Sequence, residues 1–414
     1  MKFLHCADLH LDSPLRGLSR YENAPVDQVR NAARRSFDSL VSLAIEEKVS
    51  AVVIAGDIYD GERDDFNTAM YLHQRLLRLE EAGIKVVITF GNHDAQSKVS
   101  KRLKPPDNTF VLGWDQAETR VFDDLGLAFH GQGYKTQAVV ENLAAAYPGF
   151  VPNMFNVGVL HTSLDGRPGH ANYAPCAVDD LVRLGYQYWA LGHIHKREEI
   201  LRDGTHIVFP GNLCGRHANE TGPKGATIVH YEGDRVTAVE DRPLAPLRWE
   251  RCQLSLPEAR TADDIGDAVQ KELARLKSGS PDQLLATRVT LSVSASAYGD
   301  WMSGAEANLS QLRADATGTD GLIWLEKIEL SPLPSSRPVG DEALEAIWAT
   351  LDAMRDGEEG RNTVSALLSD LRRVLPPQVA DSAGLADLEL DEASFGLLLD
   401  EAAALLQAEL GRGA

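Results

Sequence analysis

Short apolar runs alternate with helix-spaced segments through the first 240 residues. Residues 2–7 (KFLHCA), 51–56 (AVVIAG) and 85–91 (KVVITFG) are nearly continuous apolar stretches, each closing on a glycine or an acidic residue. Between them, residues 27–48 repeat apolar side chains at Phe37, Leu40, Val41 and Ala44, and residues 68–82 do so at Leu72, Leu76 and Leu79. Continuous apolar strands separated by amphipathic helices indicate a sheet covered on both faces, the α/β pattern. Further strands are expected at 156–161 (NVGVLH), 186–193 (YQYWALGH), 205–211 (THIVFPG) and 225–232 (GATIVHYE).

The pattern changes at 243–250 (PLAPLRWE), where two prolines interrupt it. Beyond lie an expected strand (251–256), helix (262–277), strand (286–295), helix (305–316) and strand (321–331), a small α+β unit. A Pro/Ser-rich linker follows at 332–340. The remainder reads as helix, with Leu344, Ile347, Trp348 and Leu351 on one face and Val364, Leu367, Leu368 and Leu371 on another. The expected division is 1–245, 250–335 and 341–414, the last a bundle packing on itself or a docking region for a partner helix.

Composition narrows the setting. The chain has 414 residues, room for two or three domains, and 43% hydrophobic residues to fill their cores. Four cysteines stand far apart with no CxxC pair, which fits a reducing cytosol and argues against a disulfide framework or a thiolate zinc ribbon. No basic leader precedes an apolar run, so a cytoplasmic location without membrane contact is expected. The net charge of −20 disfavours a polyanionic partner, but it is uneven. Residues 1–250 carry 27 Lys and Arg against 33 Asp and Glu, and residues 251–414 carry 14 against 28. A nucleic-acid substrate therefore remains open for the N-terminal part.

Candidate chemistry gathers at strand ends. Asp8 and His10 follow the first strand, Asp57 the second, and Asn92 and His93 the third; His161 ends a later strand, and His193 and His195 end another. Each motif alone is weak, whereas five in this order are not. Imidazoles, carboxylates and an amide oxygen suit manganese, iron or zinc better than calcium. So many candidate ligands exceed one tetrahedral ion and suit two ions sharing a carboxylate, a clamp for displacement at phosphorus.

The motifs DLH (8–10), GDIYD (56–60), GNHD (91–94), the isolated His161 and GHIH (192–195) resemble the calcineurin-like metallophosphoesterases over roughly residues 1–240. Residues 1–15, 161–176 and 211–225 are most similar to the DNA-repair exonuclease branch, the SbcD-like and YhaO-like nucleases. The resemblance implies a metallophosphoesterase β-sandwich flanked by helices, with a small α+β capping domain and a helical C-terminal region. It implies that Asp8, His10 and His195 hold one ion, that Asn92, His161 and His193 hold the other, and that Asp57 bridges them. His93 would act at the phosphate or leaving group rather than ligate, while Asp60 would orient a ligand histidine. Manganese is the ion implied, with iron, zinc or magnesium as alternatives.

The expected function is phosphodiester hydrolysis on DNA, exonucleolytic or endonucleolytic, by water activated at the dinuclear centre. Phosphoprotein phosphatases of this superfamily carry Arg where Gly61 stands and Glu where Asp94 stands; losing that Arg favours a diester over a phosphomonoester. Arg16, Lys196, Arg197, Arg216 and His217 lie close enough in sequence to touch DNA phosphates. The resemblance further implies an SMC-like coiled-coil ATPase partner and admits a homodimer. The rival readings are a phosphodiesterase for small or cyclic nucleotides and a non-catalytic scaffold of the same fold.

Overall fold

The first apolar run forms β1 (Lys2–Cys6), which lies inside a six-stranded sheet rather than at its edge. On one side, β2 (Ala51–Ala55), β3 (Lys85–Thr89) and β4 (Thr109–Val111) follow in parallel; on the other, β11 (Gly225–Glu232) and β12 (Arg235–Pro243) run antiparallel. A second six-stranded sheet has the order β5 (Glu118–Phe122), β6 (Leu127–Gly131), β7 (Phe155–His161), β8 (Tyr188–Gly192), β10 (Thr205–Phe209), β9 (Glu198–Arg202). Its four inner strands are parallel and the two outer ones antiparallel. This computed structural model describes residues 1–15, 24–60, 66–96, 104–166, 172–317, 321–333, 342–375 and 391–412.

Strand periodicity builds the layers. Phe3, Val53 and Val87 of the first sheet meet Phe129, Val157, Tyr188 and Val208 of the second in one buried core. The alternate residues Leu4, Cys6, Val52, Ile54 and Ile88 face outward and pack under α1 (Val26–Glu46) and α2 (Phe66–Glu81), through Phe37, Leu40, Leu72 and Leu76. On the far side, Leu160, Trp189 and Phe209 pack with Leu181 of α3 (Val178–Val182). The two sheets thus form a sandwich flanked by helices, as expected. Burial on both faces is why β1, β2, β7 and β8 read as unbroken apolar runs. By contrast β5, β9 and β12 are edge strands with partly solvated faces, and β4 has three residues; none gave a strand signal in the sequence.

The chain divides into a unit of Met1–Glu250 with Asp282–Ala286 and a unit of Arg251–Pro281 with Thr287–Ala414. In the second unit, β13 (Leu247–Leu256), β14 (Leu284–Val293) and β15 (Ile323–Pro332) form a three-stranded sheet, β13 and β14 beginning in the first unit. Ile265, Val269 and Leu273 of α4 (Ala262–Ser278) pack with Leu291 and Val293 of β14 and Leu312 of α6 (Ala305–Thr317). Helix α4 is capped at Thr261, whose side chain accepts from the Asp264 N–H while Asp264 accepts in return. Residues 295–303 form α5 (Ala295–Ser303), unmarked in the sequence because its Ala/Ser-rich start prolongs the preceding strand pattern. Among the described residues, three helices follow: α7 (Glu342–Asp356), α8 (Glu358–Val374) and α9 (Glu392–Arg412). Ala404 of α9 joins the same core as Ala297 and Trp301 of α5. Among the described residues, no helix is long and apolar enough to cross a membrane.

Candidate metal centre

Five strand ends supply the site, and at three of them the backbone turns through left-handed conformations. Asp8, His10, Asp57 and His193 all adopt left-handed backbone conformations, with φ of 51°, 43°, 52° and 97°. Such geometry is unusual for residues other than glycine and is held only by strong surroundings. Here those are hydrogen bonds between loops. The Asp8 N–H donates to Gly56 O (3.0 Å), and the His10 N–H to Asp57 O (3.0 Å). The His193 N–H donates to the Asp8 carboxylate (3.1 Å to each oxygen), and the His93 N–H to Asp57 Oδ1 (3.0 Å).

The glycines in these motifs are spacers. A Cβ on Gly192 would lie 2.0 Å from Ala55 O, and one on Gly91 would lie 2.3 Å from Asp57 Oδ1. Only glycine lets β8 and the turn after β3 approach β2 this closely.

Two groups of donor atoms result. In the first, His10 Nε2 lies 3.2 Å from His195 Nε2, and His195 Nε2 lies 3.8 Å from Asp8 Oδ1. In the second, His161 Nε2 lies 3.0 Å from Asn92 Oδ1 and 3.4 Å from Asp57 Oδ2. Asp57 Oδ2 also lies 4.0 Å from His10 Nε2, between the groups. His193 contributes a ring whose centroid lies 5.2 Å from that of His161 and 5.7 Å from that of Tyr173. All the expected ligands except His195 are buried, and His195 is partly so.

The tautomer of His161 shows what this arrangement needs. Its Nδ1 donates to Ala55 O at 2.9 Å, so a neutral ring presents a lone pair at Nε2. That lone pair faces an amide oxygen and a carboxylate oxygen, all acceptors. Either a proton or a cation must sit among them, and the donor set fits a divalent cation of borderline character. The electrostatics agree. Burial disfavours a charged His161, but Asp57, Asp8 and the Ala55 carbonyl more than offset it and lift the ring to about 9. Burial alone would raise Asp57; His161, His10 and His93 instead hold it far below the usual carboxylate range. His10 is pushed down, first by burial and then by Arg216.

His93 differs from the ligands in being one-third exposed. Its Nδ1 lies 3.2 Å from Asp60 Oδ1, which is also 3.6 Å from His10 Nδ1. Asp60 accepts from Ser13 Oγ at 2.5 Å and lies 3.5 Å from Arg216 Nη1. Burial would raise this carboxyl, but His10, Ser13 and Arg216 together hold it below its ordinary range.

Three participants gave little sequence signal. Asp94 accepts from the N–H groups of Ile58 (2.9 Å), Tyr59 (3.0 Å) and Gly91 (3.0 Å), tying the turns after β2 and β3 together. Burial and the neighbouring Asp57 push it up to about 7. Glu220 accepts from His195 Nδ1 at 2.6 Å. Arg216, noted in the sequence as a DNA contact, lies 3.5 Å from both Asp60 and Glu220. Arg197 is engaged with Thr227 and Glu199, and Arg16 lies outside the described residues, as does Gly61. His5, inside β1, bonds Tyr188 Oη (2.9 Å) and Leu191 O (3.2 Å), and burial presses it down to about 3; it takes no part in the centre.

Comparison with known proteins agrees with the geometry. Residues 1–197 match the family model described as calcineurin-like phosphoesterase, and residues 249–331 match that of the metallophosphoesterase YhaO middle domain. An uncharacterized metallophosphoesterase, YhaO of Bacillus subtilis, is 33% identical over 285 residues, which are 68% of this chain and 70% of that protein. The DNA double-strand break repair protein Mre11 of Sulfurisphaera tokodaii is 25% identical over 254 residues, 56% of this chain and 60% of that protein. Among solved structures, a dimetal phosphatase from Danio rerio matches at 14% identity and a TM-score of 0.36, covering 59% of this chain and 96% of that one. The family that the motifs resemble is therefore the one at hand: this chain belongs to the calcineurin-like metallophosphoesterases, with a YhaO-type middle domain.

Proposed function

We propose that the protein is a two-metal phosphodiesterase that hydrolyses DNA, with manganese as the working ion. The observation that carries the reading is the sharing of Asp57 between two sets of converging donors, 3.4 Å from His161 and 4.0 Å from His10. Asp8, His10 and His195 would hold one cation and Asn92, His161 and His193 the other, with Asp57 common to both. When bound, two such cations supply Lewis-acid polarisation of the phosphoryl group and a water acidic enough to attack near neutral pH. The chain's own part is positional. His161 keeps a fixed tautomer, while the left-handed turns hold the carboxylates still. His93 reaches the solvent side with its Nδ1 proton held toward Asp60. With a second proton on the ring, its other nitrogen would meet the scissile phosphate as a donor, stabilising charge or passing that second proton to the leaving oxygen. The diester preference rests on Gly61 standing where phosphatases carry Arg, and the DNA substrate on the similarity to Mre11 proteins. The SMC-like coiled-coil ATPase and the homodimer belong to this reading through the family resemblance, and the cytoplasmic location through the unpaired spacing of the four cysteines.

The test is digestion of linear single-stranded, double-stranded and hairpin DNA with Mn²⁺, Mg²⁺ and Zn²⁺. His93→Ala should lose at least about 100-fold in rate, within the range general acid–base groups contribute, while still binding two ions. Retained nuclease activity in that variant overturns the role of His93. Turnover of bis-p-nitrophenyl phosphate or cyclic nucleotides without any cutting of DNA replaces the substrate with a small diester, the alternative that the net charge of −20 favours.

A further inference from the structure

His195 is held from behind by a carboxylate that no strand-end motif announces. Glu220 lies in the segment GRHANETG, 25 residues after His195, and only 7% of it is exposed. Its Oε1 accepts from His195 Nδ1 at 2.6 Å. Its Oε2 accepts from Asn212 Nδ2 at 2.9 Å and from the Arg216 N–H at 2.7 Å. The Arg216 guanidinium and His217 Nε2 each lie 3.5 Å from Oε1. Asn212 is itself fixed, since its N–H donates to His195 O at 3.3 Å and its Nδ2 also donates to Cys214 O at 2.8 Å. Every partner of Glu220 is therefore a donor, which is the environment of an ionised carboxylate.

An acceptor-only carboxylate at 2.6 Å dictates the proton on His195. Nδ1 must carry hydrogen, so in the neutral ring Nε2 is the lone-pair atom. That atom faces His10 Nε2 and Asp8 Oδ1. We propose that Glu220 is a positioning residue that fixes the tautomer and rotation of His195, and so sets the affinity of the cation position formed by Asp8, His10 and His195. The inference rests on the two-metal reading above. Carboxylates that orient ligand histidines typically change metal affinity by about 10–100-fold when removed.

Glu220→Gln tests this closely. The amide nitrogen must face either Asn212 Nδ2 and the Arg216 N–H, at 2.9 and 2.7 Å, or the Oε1 side, where His195 Nδ1 lies at 2.6 Å and the Arg216 guanidinium and His217 only at 3.5 Å. Facing His195 is the smaller conflict, and it forces Nδ1 to become an acceptor and Nε2 to carry the hydrogen, which blocks ligation. Manganese titration followed by calorimetry and by metal analysis after dialysis should show two sites in the wild-type protein. In Glu220→Gln one site should weaken by about 10–100-fold and the other keep its affinity, the loss that orienting carboxylates show elsewhere. Glu220→Asp, which keeps the charge but retracts it, should fall between the two. Equal affinities for both ions in Glu220→Gln and wild type overturn the proposal while leaving the two-metal reading intact. Fewer than two ions in the wild type overturn that reading and this proposal with it. Should Glu220→Gln fail to fold, the ¹⁵N spectrum of the wild-type histidines decides: His195 must show hydrogen at Nδ1 in the metal-free protein, and hydrogen at Nε2 refutes the assignment.

Discussion

At the scale of single residues, the site is a set of acceptors awaiting positive charge. His161 is lifted to about 9 from 6.5, and Asp94 to about 7 from 3.8. Both groups hold a proton more tightly folded than unfolded, so their linkage runs in one direction. Stability from Asp94 is present below about pH 4 and lost as pH rises through 7, and that from His161 is present below about 6.5 and lost through 9. Below about pH 6.5 the lowered histidines, His5 and His10 among them, oppose this trend, so the metal-free protein should melt progressively lower only from about pH 7 to 9. Divalent cations should flatten that profile and release protons on binding, which calorimetry in buffers of different ionisation enthalpy would detect. A metal-free melting temperature that rises toward pH 9 would contradict the assignment. Asp8, His10, Asp57, Asn92, His93, His161, His193 and His195 were legible because each sits where an apolar run stops. Glu220 was not, because it lies in an irregular loop that no strand introduces, and its role exists only through the fold that brings it to His195.

At the scale of elements, the strand crossings matter more than the strands. Gly192 at the end of β8 passes so near Ala55 of β2 that any Cβ would stand 2.0 Å from the Ala55 carbonyl oxygen and 2.8 Å from His161 Nδ1. Gly192→Ala should push β8 from β2, lower stability by about 1–3 kcal/mol as overpacked cores do, and reduce the bound metal below two ions. Denaturant titration and metal analysis on the same preparation would check both effects, and a variant with wild-type values in each would refute the spacer role. The same crossings explain what sequence patterning found and missed. Strands β1, β2, β3, β7, β8, β10 and β11 were recognisable because they are buried and apolar. The edge strands β5 and β9 mix exposed polar positions with few buried ones, so neither the alternating nor the continuous template fits them. Helix α5 was missed because tertiary packing of Tyr298 and Trp301, not helix periodicity, fixes it.

At the scale of the whole molecule, the first unit is not a simple N-terminal piece. Asp282–Ala286 belongs to it, with the Leu284 N–H donating to Pro246 O at 2.8 Å, Gln283 Nε2 donating to Ala245 O at 2.6 Å, and Leu284, Leu285 and Ala286 buried. A fragment ending at Glu250 should melt several degrees below the corresponding transition of the intact chain, since two leucines lose burial worth about 1.5–3 kcal/mol each. Calorimetry of both would decide it; equal transitions would show that the segment contributes nothing. The PLAPLRWE stretch marked where the pattern changes, but no local signal could show that the chain returns to the first unit some thirty residues later. The placing of β1 between β2 and β11 carries a consequence for how the molecule is made. Asp8 and His10 are synthesised well before β11, yet β1 is flanked on one side by that strand, at Thr227–His230. A nascent chain that stops before Thr227 lacks that strand, and one that stops before Glu220 lacks the carboxylate behind His195. On the two-metal reading, the cation position formed by Asp8, His10 and His195 would therefore be complete only once synthesis has passed Glu220 and β11.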